Sequence, residues 1–581
     1  MKTIPQHLIT SFARKRWIAI FLLIIATSSV AFSKDWERSY FTDWRTQTNG
    51  LTAGWFGLAE PLKSYGFSAT GEYKQQYFGQ VSGGLPNQPA SNWAGEVKMK
   101  FLYDFATIFG IKGLTLESNW RERFGGNPQF KAGTFNTFNP SQIPSGPGLR
   151  ILTQQFEYTT ANKALTINAG WENPYEQFLQ QPLSKLFENN AITSAKGIGA
   201  AAGPGIPVFS NATGKYVNYA SSPVPWGSTY TAWGGTLKVR PIKQAYIQSG
   251  LYAAISGTGG VNGSVYGPTD VYPYTSVPSS YLGQGKAAGQ SYYQTVGANG
   301  VPNGKWAQTK YVAPYQNNHG FNFQGSGSFN PNGWGGNYSQ NGLYNVNEIG
   351  WEPKFGKDQY EGKYAVGSYI WGQNNTSYTP VTYVPGQTKP TAFNQNSYIW
   401  GLYFQADQQI FKEKSDDPAK PSKQGLATFN ELTFTDPHNN ALPLYFHTGL
   451  VYRGLIPKRD DDSVGIVLGE GFYSSYYNQY INQQNNQVLI NNYGSAKNRI
   501  APNGPVNIPA NYYATGLPSK ATTYYQYAPQ FSATAVIEAF YNVQLTKWAS
   551  IKPGVQYISN PAGNGTVANA WILGATAKVA F

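Results

Sequence analysis

The chain has 581 residues, no cysteine and a formal charge of +14, with only 12% charged residues beside 43 Tyr, 16 Trp and 64 Gly. Disulfide frameworks and thiolate metal sites are therefore excluded. The mean hydropathy is −0.41, and a chain rich in aromatics, poor in charge and hydrophilic on average suits a sheet with one face in lipid and the other in water.

The N-terminus reads as a targeting segment. Lys2, Arg14, Lys15 and Arg16 form a basic stretch, Ile18 to Ala26 a short apolar run, and Ser29, Ala31 and Ser33 supply small residues near a cleavage point. That is the layout of a secretory signal peptide over residues 1–33. The apolar run is about half the roughly 20 residues a membrane-spanning helix needs. Removing this segment takes away four cations and no acid, so the formal charge falls from +14 to +10. The remaining basic residues are scattered along alternating segments rather than clustered with aromatics, which speaks against a nucleic-acid partner and for a lined pore.

Residues 34–66 are expected to form an N-terminal periplasmic segment leading into the barrel, and residues 67–581 the barrel itself. Period-two alternation marks the strands. The first ones expected are Phe67 to Gly79, Trp93 to Ala106, Leu114 to Phe124, Leu149 to Thr159, Ala164 to Glu172 and Thr231 to Arg240. Then come Gln244 to Ile255, Leu343 to Glu352, Gly362 to Gly372, Ser397 to Phe411, Gly425 to Thr435 and Leu444 to Leu455. The last four are Ser463 to Tyr473, Ser532 to Leu545, Lys547 to Ile558 and Ala570 to Phe581. The fold class is all-β: a transmembrane antiparallel β-barrel of about 16 strands. Short links such as Thr160 to Lys163, Pro241 to Lys243 and Ile456 to Asp462 alternate with the long Asn173 to Tyr230, Ser256 to Gly342 and Ser474 to Phe531. Long extracellular loops opposite short periplasmic turns are what such a barrel shows.

Several stretches resemble the carbohydrate-selective porin family of the OprB type. They are GLTAGWFGLAEPLKSYG from Gly50 to Gly66, EGKYAVGSYIWG from Glu361 to Gly372 and GLVYRGLIPKRDDDSVGIVLG from Gly449 to Gly469. The C-terminal stretch from Trp548 reads WASIKPGVQYISNPAG and ends WILGATAKVAF at Phe581. The resemblance implies a sixteen-stranded outer-membrane barrel that passes monosaccharides through a constricted, charged eyelet in a Gram-negative-type bacterium. The sequence departs from the family pattern in three ways: Trp55-Phe56-Gly57 leads to Leu58 and Ala59 where an Arg is usual, Trp171 stands where Arg is common, and the large inserts, above all Ser256 to Gly342, are longer than usual.

Phase along the strands assigns lumen candidates. On Leu114 to Phe124 the apolar phase is Leu114, Leu116, Trp120 and Phe124, which turns Glu117, Asn119, Arg121 and Arg123 inward. The same logic points Glu96, Lys98, Lys100, Glu538, Lys552 and Gln556 inward. Guanidinium forks offer several fixed donors to sugar hydroxyls, and aromatic rings pack on a pyranose face. Phe540 and Tyr246 fall on the inward phase, while Tyr175, Phe178 and Trp226 are loop rings able to fold in. Trp93, Trp120, Trp548 and Trp571 read as interfacial girdle residues.

Other chemistry finds little support. Asp460, Asp461 and Asp462 follow Lys458 and Arg459 in a short turn and read as a charged periplasmic turn rather than a cation site. His319 and His438 fall in loops, and His447 has no evident partner in sequence. No cofactor or metal is called for. Three readings stay open: a channel for glucose-like sugars, a general or anion-preferring small-solute porin, and an outer-membrane enzyme or adhesin. The expected partners are small carbohydrates, outer-membrane lipid and, through Phe581, the barrel-assembly machinery. Self-association into a homo-oligomer is left open.

Overall fold

The computed structural model describes residues 50–84, 91–125, 140–141, 148–193, 232–254, 342–372, 398–414, 424–478 and 531–581, three positions in the last stretch excepted, plus short segments within the long loops. Residues 1–49 and most of 256–341 and 479–530 lie outside them, as does Trp226.

Sixteen long strands carry the fold. They are β1 (Phe67–Gly84), β2 (Ser91–Asp104), β3 (Leu114–Gly125), β4 (Gly148–Thr159), β5 (Leu165–Glu172), β6 (Ala232–Ile242), β7 (Ala245–Ala254) and β8 (Gly342–Trp351). The second half comprises β9 (Tyr360–Trp371), β10 (Ile399–Lys412), β11 (Gly425–Thr435), β12 (Leu444–Arg453), β13 (Ser463–Phe472), β14 (Ala533–Gln544), β15 (Ala549–Ser559) and β16 (Ala568–Ala580). Each pairs antiparallel with its neighbours in sequence, and β16 pairs with β1 to close the barrel. Closure leaves no open sheet edge in lipid, the condition for a sheet to span a bilayer.

All sixteen expected strands are present, most with shifts of one or two residues at their ends. The clearest departure is after β2. Asp104 stops the strand because its carboxylate accepts from Ala106 N at 2.9 Å and Thr107 Oγ1 at 2.8 Å, capping a short helix, α1 (Phe105–Phe109). Gly110 closes that helix in the left-handed region, φ 76°. The expected strand end at Ala106 is thus a helical turn.

Alternation sorts the two faces. Ile349, Leu343, Val366, Ile370, Ile466 and Leu573 are large apolar side chains left exposed, and their strand neighbours Glu348, Tyr344, Ala365, Tyr369, Val467 and Ile572 are buried. The exposed set forms the lipid belt, and the buried set faces the lumen. The residues leading into β1 meet the end of β16 at one rim: Leu51 N donates to Ala580 O at 2.8 Å, and Trp55 packs edge-on to Phe581 with ring centroids 5.8 Å apart. The Phe581 ring lies across Gly71 so closely that a Cβ there would stand 2.2 Å from it. By strand order, the links after β2, β4, β6, β8, β10, β12 and β14 stand at this rim and the links after the odd-numbered strands at the opposite one.

Candidate functional site

The lumen is not an empty tube, because the chain after β5 turns inward. Asn173 caps a short turn, its side chain accepting from Tyr175 N at 3.0 Å, and Pro174 starts it. From there to Thr193 the segment crosses the barrel interior. Tyr175 and Phe178, two rings the sequence marked as able to fold in, do so.

Two apolar pegs hold this loop to the wall. Phe178 and Leu179 pack into a cluster with Tyr252, Tyr344, Tyr369 and Tyr403. Phe187 and Ile192 pack into a second with Phe429, Tyr445, Val536 and Phe540, Phe187 meeting Phe540 edge-on at 4.8 Å. Each buried ring of this kind contributes about 1.5–3 kcal/mol. Glycines on the inner face make room for the pegs: a Cβ at Gly250 would meet Phe178 at 2.9 Å, one at Gly465 would meet Phe187 at 2.9 Å, and one at Gly469 would meet Ile192 at 2.6 Å. These wall positions face the lumen yet are apolar or empty because the loop, not water, covers them.

Buried polar groups then fix the loop's height. Near its tip, the Glu348 carboxylate accepts from Tyr246 OH at 2.7 Å, Gln248 Nε2 at 2.8 Å, Leu179 N at 2.8 Å and Tyr403 OH at 2.6 Å. Gln181 Nε2 donates to Asp407 at 2.9 Å, and its amide oxygen meets His447 Nε2 at 2.7 Å. At the far end, Glu188 pairs with Lys74 at 2.8 Å and Lys552 at 2.6 Å. Glu538 accepts from the Glu188 and Asn189 backbone N–H groups at 2.7 and 2.8 Å, and Asn189 Nδ2 donates to Gln556 at 2.9 Å. Burial pushes the Glu188 carboxyl up, but the ammonium charges of Lys552 and Lys74 outweigh it and hold the group down at about 2.

The wall that the loop covers less is β16, β1, β2, β3 and β4, which it meets at Lys74 and Gln76 of β1; this wall carries charge. Lys578 pairs with Glu72 at 2.6 Å, Lys98 with Glu72 at 3.8 Å and with Glu96 at 3.0 Å, and Glu96 in turn lies 3.4 Å from Arg121. Alongside, Lys100 pairs with Glu117 at 2.5 Å, and Asn119 bridges Glu117 and Thr153 at 2.7 and 2.6 Å. Lys98 and Lys100 keep 39% and 48% of their side chains exposed, so these two ammonium groups are wet, whereas Glu96 and Arg121 beside them are nearly buried. On the loop opposite, Glu176 feels the charges of Arg121, Glu117, Lys185 and Lys98, and burial pushes its carboxyl up.

Of the ten sequence candidates, six stand on the open wall: Glu96, Lys98, Lys100, Glu117, Asn119 and Arg121. Arg123 follows on β3, with its side chain outside the described residues. Glu538, Lys552 and Gln556 also face inward, but their contacts go to the loop and, for Gln556 Nε2, also to Pro140 O at 2.9 Å. Sequence reasoning passed over Lys74, Gln181, Glu188, Glu348 and Asp407. One signal for them was available: inner-phase positions on β7 to β14 that are aromatic, small or apolar mark the wall a loop must cover.

The comparisons agree with this architecture. The model of the family described as "Carbohydrate-selective porin, OprB family" matches residues 88–581. Porin B of Pseudomonas aeruginosa is 25% identical over 235 residues, a stretch that spans 40% of this chain and 44% of that relative. The high-pH structure of Pseudomonas putida OprB superposes with a TM-score of 0.61 at 17% identity, covering 92% of this chain and 99% of that one, and so shares the fold. With nearly all of the barrel inside the family match, the chain belongs to the OprB family of carbohydrate-selective porins, outer-membrane β-barrels.

Proposed function

We propose that this protein conducts small neutral sugars of monosaccharide size passively through an eyelet between the infolded loop and the β1–β3 wall. The observation that carries the reading is the division of the lumen: one wall dry and occupied by residues 173–193, the other wet and lined by alternating charge. Such a gap offers a narrow passage with hydrogen-bond donors and acceptors on fixed supports, the way pores select. Arg121 supplies guanidinium donors, Lys98 and Lys100 ammonium donors, and Asn119 and Glu117 acceptors. Arg123 belongs to the same row by strand phase. Glu96, Glu538, Lys552 and Gln556 act indirectly, by holding Arg121 or the loop in place. A single barrel suffices for this path.

The chain is exported under the signal peptide of residues 1–33, and the terminal Phe581 serves recognition by the barrel-assembly machinery. Liposome swelling with glucose, set against an inert solute of similar size, tests the conduction. Faster swelling with glucose supports the sugar channel. Equal rates with a marked anion-over-cation permeability would favour a general anion-preferring porin.

A further inference from the structure

Most lumen cations described above are neutralised locally: Lys74, Lys98, Lys100, Arg121, Lys552 and Lys578 each have a carboxylate within 4 Å. Lys185 and Lys363 differ. Lys363 Nζ donates to the Gln180 backbone oxygen at 2.6 Å, and Lys185 Nζ donates to the Gln180 side-chain oxygen. Two ammonium groups from different elements, the loop and β9, thus converge on one neutral residue, and among the described residues neither forms an ion pair.

The acids nearby act on them only through space. Asp407 faces Lys363 across the β9–β10 register and attracts it, but among the described residues no carboxylate oxygen lies within ion-pair distance of Lys363 Nζ; the Asp407 carboxylate is hydrogen-bonded by Gln181 at 2.9 Å and Gln405 at 3.5 Å. Glu176 acts on Lys185 through space only. Lys185 is exposed and stands 5.3 Å from the Tyr175 ring centroid, beside a flat surface of the kind a sugar ring packs on.

We propose that Lys185 and Lys363 form an anion subsite where the infolded loop meets β9, beside the eyelet, for a monosaccharide carrying a carboxylate or phosphate group. The anionic group replaces Gln180 as the shared acceptor, and the sugar body lies toward Tyr175. Exchange is favourable because an anionic acceptor adds charge attraction to two ammonium groups that now donate to a neutral residue. The inference rests on the eyelet reading above and extends it to acidic sugars.

The test uses the full-length protein in liposomes and planar bilayers, with glucose, glucuronate, glucose 6-phosphate and chloride as probes. Glucuronate and glucose share a ring and differ at one carbon, so their permeability ratio isolates the charge. Lys185→Gln combined with Lys363→Gln should lower the glucuronate-to-glucose ratio roughly three- to ten-fold, the size expected of two partly exposed ion contacts. Lys185→Arg should retain most of it, and heat-modifiability of each variant reports that the barrel has folded. A fall confined to glucose 6-phosphate assigns the subsite to phosphate, and a fall with glucuronate assigns it to carboxylates. An unchanged ratio for both, or a fall matched in full by chloride, overturns the subsite. Absence of glucose flux in the unmodified protein would instead overturn the eyelet reading beneath it.

Discussion

Glu188 Oε1 lies 2.6 Å from Lys552 Nζ, joining the end of the infolded loop to β15, while Glu188 Oε2 reaches Lys74 on β1 at 2.8 Å. One loop carboxylate therefore clasps two wall strands that are adjacent to the closing strand, and all three side chains are nearly buried. Removing one partner of a buried pair costs about 3–5 kcal/mol because the others are left uncompensated. Glu188→Ala should free this end of the loop, raise single-channel conductance and add current noise. Planar-bilayer recording checks it.

The same clasp sets an acid limit. The Glu188 carboxyl is held at about 2 against an ordinary value of 4.5, because the Lys552 and Lys74 charges overcome the effect of burial. A depressed carboxylate contributes its stabilisation fully above the unfolded value and loses it as pH falls through the folded one. The contribution of the Glu188 clasp to loop closure should be intact above about pH 4.5 and be lost between there and about pH 2, seen as a conductance step in that window. In Glu188→Ala that step should be absent when conductance is followed across the same range.

Glu348 anchors the loop at Leu179, accepting one hydrogen bond from the Leu179 N–H and three from wall side chains. Glu348→Gln replaces one acceptor oxygen with a donor facing existing donors, leaving buried groups unpaired at about 1–3 kcal/mol each. The heat-modification temperature on gels should drop, and conductance should rise. Gly250→Val, which drives a side chain into Phe178, should raise conductance in the same way while leaving Glu348 untouched.

Gly71 and Phe581 make a pair of their own at the periplasmic rim. Deleting Phe581 should lower the yield of heat-modifiable protein in the outer-membrane fraction. Gly71→Val, which displaces the ring without removing it, should do the same to a smaller degree. Full insertion of both variants would remove Phe581 from the account of assembly.

The strands were legible because a lipid face and a wet face impose period two on local sequence, and Leu114 to Phe124 or Trp571 to Phe581 show it without knowledge of any partner. The open wall was legible for the same reason: Glu117, Asn119 and Arg121 follow directly from strand phase. The loop's attachment was not. Glu188 finds Glu538, Lys74 and Lys552, and Gln181 finds His447, across a hundred to more than three hundred residues, and no local pattern encodes such pairings. Tyr246 and Phe540 were the visible hint, as aromatic residues on a face meant for water.

The central claim is that the open wall recognises sugar by contact rather than by long-range field. Arg121, 12% exposed and seated on Glu96 at 3.4 Å, carries that claim most directly. Contact recognition survives moderate salt, because a hydrogen bond is short beside the roughly 10 Å screening length at 0.1 M. The decisive measurement is glucose flux divided by that of an inert solute of similar size, in liposomes at moderate salt, for the unmodified protein, Arg121→Ala and Arg121→Lys. The account predicts a ratio lowered roughly two- to ten-fold in Arg121→Ala, with partial recovery in Arg121→Lys, which keeps the charge but not the planar fork. An unchanged ratio in Arg121→Ala, accompanied by a shift in anion-over-cation permeability, would contradict it.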